Sequence, residues 1–197
     1  MPSETELKYT PPEGFGEKEL FSLPEIAGNC GEISETEMRT EYLDTPFSEA
    51  RTLGITLRRR FEGKKSLLYA KAPVCASGEL SIRGEWCVES DDVARAAELL
   101  LAEGAPTEAL VGKKLCVIGR VSFLRKEARL SLPDFEASLS YDKGIFGKDV
   151  SFSEIELELI SGDTDELLRF GRSLAGKYGL SPETASKCAR AIRFTTE

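Results

Sequence analysis

Glu154, Glu156 and Glu158 alternate with Ile155, Leu157 and Leu159 near the end of the chain. A period of two puts the three carboxylates on one face of a strand and the three aliphatic side chains on the other. The same division recurs elsewhere. Glu4, Glu6 and Lys8 oppose Leu7; Thr56, Arg58 and Arg60 oppose Leu57; Tyr69 and Lys71 oppose Leu68; Arg83 and Glu85 oppose Ile82 and Trp86. Any one such strand fits a sheet with a solvated face. The set is harder to leave in solvent, because aligned glutamates repel unless cations lie nearby and aligned arginines repel unless anions do. Closing the sheet with its charged faces inward and packing helices on its apolar outside removes both conflicts. The expected class is therefore α+β, a closed antiparallel sheet with external helices.

Periodicity predicts strands over Glu4–Tyr9, Thr36–Leu43, Ile55–Phe61, Ser66–Ala72, Glu79–Val88, Val117–Leu130, Phe135–Tyr141 and Phe152–Ile160. Helices are expected over Asp91–Glu103 and Thr164–Lys177, with a shorter one from Glu17 to Ile26 interrupted at Pro24. A last helix over Pro182–Ile192 has Ser181 as its N-cap and proline at its first position. Repeats, low-complexity tracts and a clear linker are absent, so residues 1–197 read as one domain, with Gly104–Lys114 joining its two halves.

The chain has no histidine, which excludes Ser-His-Asp and Cys-His nucleophile systems and histidine-ligated metals. The five cysteines are scattered and never spaced as CxxC, so they read as reduced thiols rather than a zinc site or disulfide framework. A formal charge of -8 counts against nucleic acid as a partner. No apolar run reaches the roughly 20 residues that span a bilayer, and Met1-Pro2-Ser3-Glu4 does not open a signal peptide. The expectation is a soluble cytoplasmic protein with no membrane partner.

A cavity lined by both signs of charge suits a polyanion together with its metal ions. Arginine's planar fork matches phosphate oxygens, and carboxylates give Mg2+ or Mn2+ hard oxygen ligands. A metal that activates water also makes a histidine base unnecessary.

These residues are similar to the blocks of a known family. Glu4-x-Glu6-x-Lys8 resembles the ExExK signature of the CYTH, or triphosphate tunnel metalloenzyme, superfamily. Tyr42-Leu43-Asp44-Thr45-Pro46, Leu53-Gly54-Ile55-Thr56-Leu57-Arg58-Arg59-Arg60, Lys71, Arg83-Gly84-Glu85-Trp86, the Asp142-x-Gly144 turn, Glu154 to Glu158 with Ser161-Gly162, and Ser186-Lys187 follow in the family's order. The resemblance implies an eight-stranded antiparallel β-barrel tunnel with helices packed outside. It implies metal ligands at Glu4, Glu6, Glu156 and Glu158, and a second metal or a positioned water at Glu85 and Asp142. Phosphates would be held by Lys8, Arg58, Arg60, Lys71, Arg83, Lys187 and Arg125, with Lys126 as the alternative to Arg125. Glu154 shares the inward face.

Two positions depart from the family pattern: Cys87 stands where a second acid often follows the Arg-x-Glu pair, and Arg129 stands where an aromatic is expected. The likeness is to bacterial inorganic triphosphatases, acting on tripolyphosphate with Mg2+ or Mn2+. Thiamine triphosphatase and class IV adenylyl cyclase, both acting on organic triphosphates, remain alternatives. Tyr9, Phe61 or Tyr69 would then stack on the organic group. A non-catalytic polyphosphate or nucleotide sensor is a further alternative, and a homodimer stays open.

Overall fold

The alternating strands pair into one antiparallel sheet that closes on itself. The computed structural model describes residues 3–77 and 80–195; Met1-Pro2 and Glu79, at the start of an expected strand, lie outside them. Strands β1 (Ser3–Thr10), β2 (Ser34–Asp44), β3 (Thr56–Glu62), β4 (Lys65–Ser77), β5 (Leu80–Glu89), β6 (Cys116–Ser131), β7 (Phe135–Phe146) and β8 (Val150–Gly162) run in the order β5-β4-β3-β2-β6-β7-β8-β1. Pairing of β1 with β5 completes an eight-stranded barrel. Closure leaves no free edge among these strands, and it encloses the charged faces.

Two apolar cores cover the outside. Helices α1 (Glu17–Phe21), α2 (Pro24–Ala27) and α5 (Thr164–Tyr178) pack Leu20, Ile26, Leu167 and Leu174 against Leu7, Leu139 and Leu157. On the opposite wall α4 (Ala96–Ala102) packs Leu100 against Leu57, Leu68 and Trp86, beside α3 (Glu49–Thr52), whose Ala50 joins the same core. Asp44 of the Tyr42–Pro46 block is fully buried. Its carboxylate accepts from the amides of Thr45 at 2.7 Å and Ala50 at 2.9 Å, so it builds the turn into α3 rather than any site.

Helix α6 (Lys187–Thr195) is placed differently. Ala191 and Cys188 pack with Val121, Phe123 and Tyr42, residues that share strand parity with Arg125 on β6 and Thr40 on β2. A methyl group added at Gly119 would come within 3.0 Å of the Ala191 backbone. The helix therefore lies against the inward-parity face at one end of the barrel.

The structure corrects the expected helix start at Pro182. Ser181–Pro182 is instead a two-residue strand, β9, paired with Tyr9 and Thr10 at the end of β1. Ser186 caps α6, its hydroxyl accepting from the Ala189 amide at 3.1 Å. The Asp142-x-Gly144 turn is corrected as well. Both residues lie inside β7, and the chain turns at Gly147, where φ is 59°. Gly144 is needed because β6 fills the space beside it, the Ser122 carbonyl oxygen only 2.1 Å and the Phe123 Cβ 2.4 Å from where a side chain would begin.

Candidate active site

Strand parity places the charges where closure requires. The barrel encloses a cavity of about 120 Å³. Lys8, Arg58, Arg60, Lys71, Arg83, Arg125 and Lys187 line it together with Glu4, Glu6, Glu85, Glu156 and Glu158. Seven cations against five carboxylates leave this cavity with excess positive charge in a chain of formal charge -8. The remaining lining is Tyr42, Thr56, Tyr69, Ser186 and Cys188. Register sets the neighbours: Glu6 faces Glu158, Lys8 faces Glu156 and Glu4 faces Arg83 across the β1 seams.

Most of these groups are partly neutralised by one another. Lys71 binds Glu4 and also lies 3.2 Å from Glu85, which accepts from Arg58 at 3.0 Å. Glu6 accepts from Arg83 at 2.8 Å and Lys8 at 3.2 Å. Burial opposes ionisation of Glu85, yet the Lys71 and Arg58 charges hold its carboxyl below the usual range. Burial, and then the Arg58 charge, push the Lys71 ammonium down.

Two groups stand out as poorly matched. Among the described residues Arg60 has a single carboxylate contact, Glu62 at 3.9 Å, and burial together with the Arg58 and Arg125 charges lowers its pKa. The buried Nε atoms of Arg58, Arg60 and Arg83 have no acceptor among the described residues. Glu158 lacks any ion pair among the described residues, and its carboxyl is pushed up to about 7 by burial and by the Glu4 charge. Tyr69 props the arginine pair from below, with the Arg58 and Arg60 guanidinium carbons 4.5 and 5.3 Å from its ring centre.

A family model for the CYTH domain matches residues 3–192. The chain belongs to the CYTH family. Solved structures agree on the fold. HpAC1 of Hippeastrum, described as an adenylyl cyclase with a dominant triphosphatase activity, superposes with a TM-score of 0.68 at 17% identity, over 97% of this chain and 95% of its own. A Bacillus halodurans protein described as an adenylate cyclase gives 0.61 at 19% identity, over 96% and 98%. PH1819 of Pyrococcus horikoshii gives 0.59 at 19% identity, over 97% and 99%. No protein of curated function matches the sequence.

Behind the wall of this CYTH cavity lies a second charged layer. Asp142, expected beside the substrate, is fully buried outside the lining. Arg125 grips it through two bonds of 2.8 and 2.7 Å, and Lys187 lies 2.8 Å from it. Glu156 binds Lys187 at 2.8 Å and also Arg125. Burial opposes ionisation, yet those two cations hold its carboxyl well below the ordinary range. Glu154, also fully buried, is bound by Lys187 and Arg190. Asp142, Glu154 and Glu156 approach closely enough to hold a metal, but Arg125, Lys187 and Arg190 already occupy them. This layer orders the lysine and arginine in front of it.

The choice between Arg125 and Lys126 resolves on geometry, since Arg125 lines the cavity while Lys126 pairs outside with Glu17 at 3.4 Å and Glu35 at 3.6 Å. Cys87 is exposed and lies outside the cavity lining, opposite Tyr69 in register. Arg129 is exposed and bound to Glu136. Tyr9, 1% exposed, packs in the outer core, and Phe61 lies under Arg39 and Arg59, so neither faces the cavity. Sequence reasoning did not single out Arg190 and Glu183. Arg190 follows Lys187 at helical spacing within the expected helix, a signal that could have found it.

Proposed function

We propose that this CYTH chain, acting as one domain, hydrolyses a linear triphosphate, inorganic tripolyphosphate in the first place, to pyrophosphate and phosphate. One observation carries the reading: the same cavity holds an under-paired guanidinium, Arg60, and an unpaired carboxyl, Glu158. A self-sufficient salt-bridge network would leave neither, because each costs free energy when desolvated alone. A phosphate chain supplies acceptors to the first and a hard cation supplies charge to the second.

The donor set fits Mg2+ or Mn2+, since Glu4, Glu6, Glu156 and Glu158 offer oxygens only, and a metal there would displace Arg125 and Lys187 from Glu156. A divalent ion held there would neutralise phosphate charge and lower the pKa of bound water. Lys8, Arg58, Arg60, Lys71, Arg83, Arg125 and Lys187 hold the substrate's oxygens and stabilise charge on the departing phosphate. Glu85 orients Arg58 and Lys71. Asp142 acts one layer back, fixing Arg125 and Lys187.

An inorganic substrate is favoured over an organic one by the state of the aromatics. Tyr69 already carries two guanidinium groups on its ring, which leaves it unsuited to stacking a base or thiazole ring. Thiamine triphosphate or a nucleotide is the second reading, favoured by the cyclase descriptions of two structural relatives. Among the described residues no helix is long and apolar enough to cross a membrane; a cytoplasmic location is part of the proposal and rests on the sequence reading alone.

The test is phosphate release from tripolyphosphate, thiamine triphosphate and ATP, each with Mg2+, with Mn2+ and without metal, while following cyclic nucleotide. Metal-dependent release, highest with tripolyphosphate and lost in Glu6→Gln, is the expected outcome. Tight binding without turnover would make this a sensor, and cyclic AMP from ATP would make it a cyclase.

A further inference from the structure

We propose that Arg190 is a positioning residue that sets where the Lys187 ammonium sits, acting through Glu154. The inference rests on the triphosphate reading of the cavity and adds to it a residue that does not line the cavity. Lys187 and Arg190 lie three residues apart on α6 and so share a face. Glu154, on the neighbouring strand β8, stands between them. One of its oxygens binds Lys187 Nζ and the other binds the Arg190 guanidinium. Arg190 is anchored from behind by Glu183 at 3.4 Å and by the rings of Phe146 and Phe152, whose centres lie 5.0 and 5.6 Å from its guanidinium carbon.

The charge balance gives this arrangement its consequence. Around Lys187 Nζ stand three carboxylates, with Asp142 and Glu156 each at 2.8 Å and Glu154 in contact. Arg125 offsets the first two and Arg190 offsets the third. Both Glu154 and Asp142 are fully buried, so solvent screens these interactions weakly. With Arg190 in place, Glu154 is neutralised from the far side, and Lys187 stays shared with Glu156, which lines the cavity. Without Arg190 the Glu154 oxygen that it held loses its partner, and the Lys187 ammonium, already bound to the other oxygen, is drawn onto Glu154, away from the cavity and toward the barrel wall. The wall behind the phosphate-facing lysine thus decides how much of its charge the substrate meets.

The experiment compares Arg190→Met, Arg190→Lys and the double variant Arg190→Met with Glu154→Gln, using tripolyphosphate with Mg2+ in calorimetric titration and in phosphate release. Arg190→Met is expected to weaken tripolyphosphate binding about tenfold. Arg190→Lys should keep most of the affinity, because it preserves the charge. Glu154→Gln should restore affinity in the Arg190→Met background, because it removes the anion that pulls on Lys187. A merely structural arginine predicts the reverse pattern: a lower melting temperature, unchanged affinity in the surviving fold, and no rescue. Wild-type affinity in Arg190→Met, or a double variant as weak as the single, overturns the proposal. A ligand-free crystal structure of Arg190→Met gives a second, substrate-independent readout. Lys187 Nζ should have left Asp142 and Glu156 for Glu154, and an unmoved lysine overturns the proposal even if the wild type fails to bind tripolyphosphate, a failure that would by itself sink only the triphosphate reading.

Discussion

Helices α5 and α6 are consecutive and both amphipathic, yet they lie on opposite sides of the same sheet. α5 presses Gly171 against the outward side chains of β1, where an added methyl would meet Leu7 and the Tyr9 hydroxyl at 2.6 Å. α6 is met by a glycine of the sheet instead, Gly119, and faces inward-parity residues. Outside, apolar burial stabilises the barrel. Inside, charge is held in place at a cost, and the helix delivers a lysine along with a smaller apolar cluster around Cys188 and Ala191. The pair therefore separates what makes the fold stable from what makes the site.

The sharpest break of that comparison is Gly171→Val. Overpacking against Leu7 and Tyr9 should cost about 3 kcal/mol or more of stability, seen as a large fall in melting temperature that tripolyphosphate does not selectively deepen. A melting temperature near wild type would mean that α5 is not the rigid outer buttress described above.

The interior should respond in the opposite direction. In metal-free protein Glu158 is raised to about 7 by burial and the Glu4 charge. The folded state therefore keeps a proton that the unfolded state has lost, and stability declines as pH rises from the ordinary carboxylate range through about 7. Glu158→Gln removes this group's share of the decline, leaving that of Glu154, which burial also raises to about 7, and should be more stable than wild type at pH 8 by about 1–3 kcal/mol, with activity lost. Denaturant titrations at pH 5 and pH 8 give the comparison, and parallel curves for the two proteins would contradict it.

Gly119→Val tests the inward helix directly. It should cost only about 1–2 kcal/mol of stability, because the two outer cores remain intact. Tripolyphosphate affinity should nevertheless fall about tenfold, since a shift of α6 carries Lys187 with it. A variant that loses stability but keeps affinity would uncouple α6 from the site. The smallest effect belongs to the outer charges. Lys126→Ala should change stability by no more than about 0.5 kcal/mol and leave turnover unaltered, whereas Arg125→Ala on the next position should impair tripolyphosphate binding in the same assay.

The closed sheet and its polarity were legible in the sequence because a strand's side chains alternate by covalent geometry. Glu4, Glu6, Lys8, Arg58, Arg60, Arg83 and Glu158 could be assigned to one inward set on that ground alone, and all of them line the cavity. Asp142 could not be placed as easily. Parity sets its face, but its depth behind Arg125 depends on the register between β6 and β7. Gly144 read as a turn residue because glycine serves both turns and close strand contacts, and only the position of Phe123 distinguishes them. The start of α6 was misplaced for a related reason. Ser181-Pro182 carries a sound local helix-start pattern, and pairing with β1 overrides it.

By itself, then, the sequence determined which residues point to the same side of each strand, and with that the mixed-charge interior. Tertiary structure alone decided which of those charges neutralise one another and which, like Arg60 and Glu158, are poorly matched. It also decided that the last helix turns inward. Side-chain alternation is a property of neighbouring peptide units, whereas an ion pair such as Arg83 with Glu6 joins positions far apart in the chain and exists only once the barrel has closed.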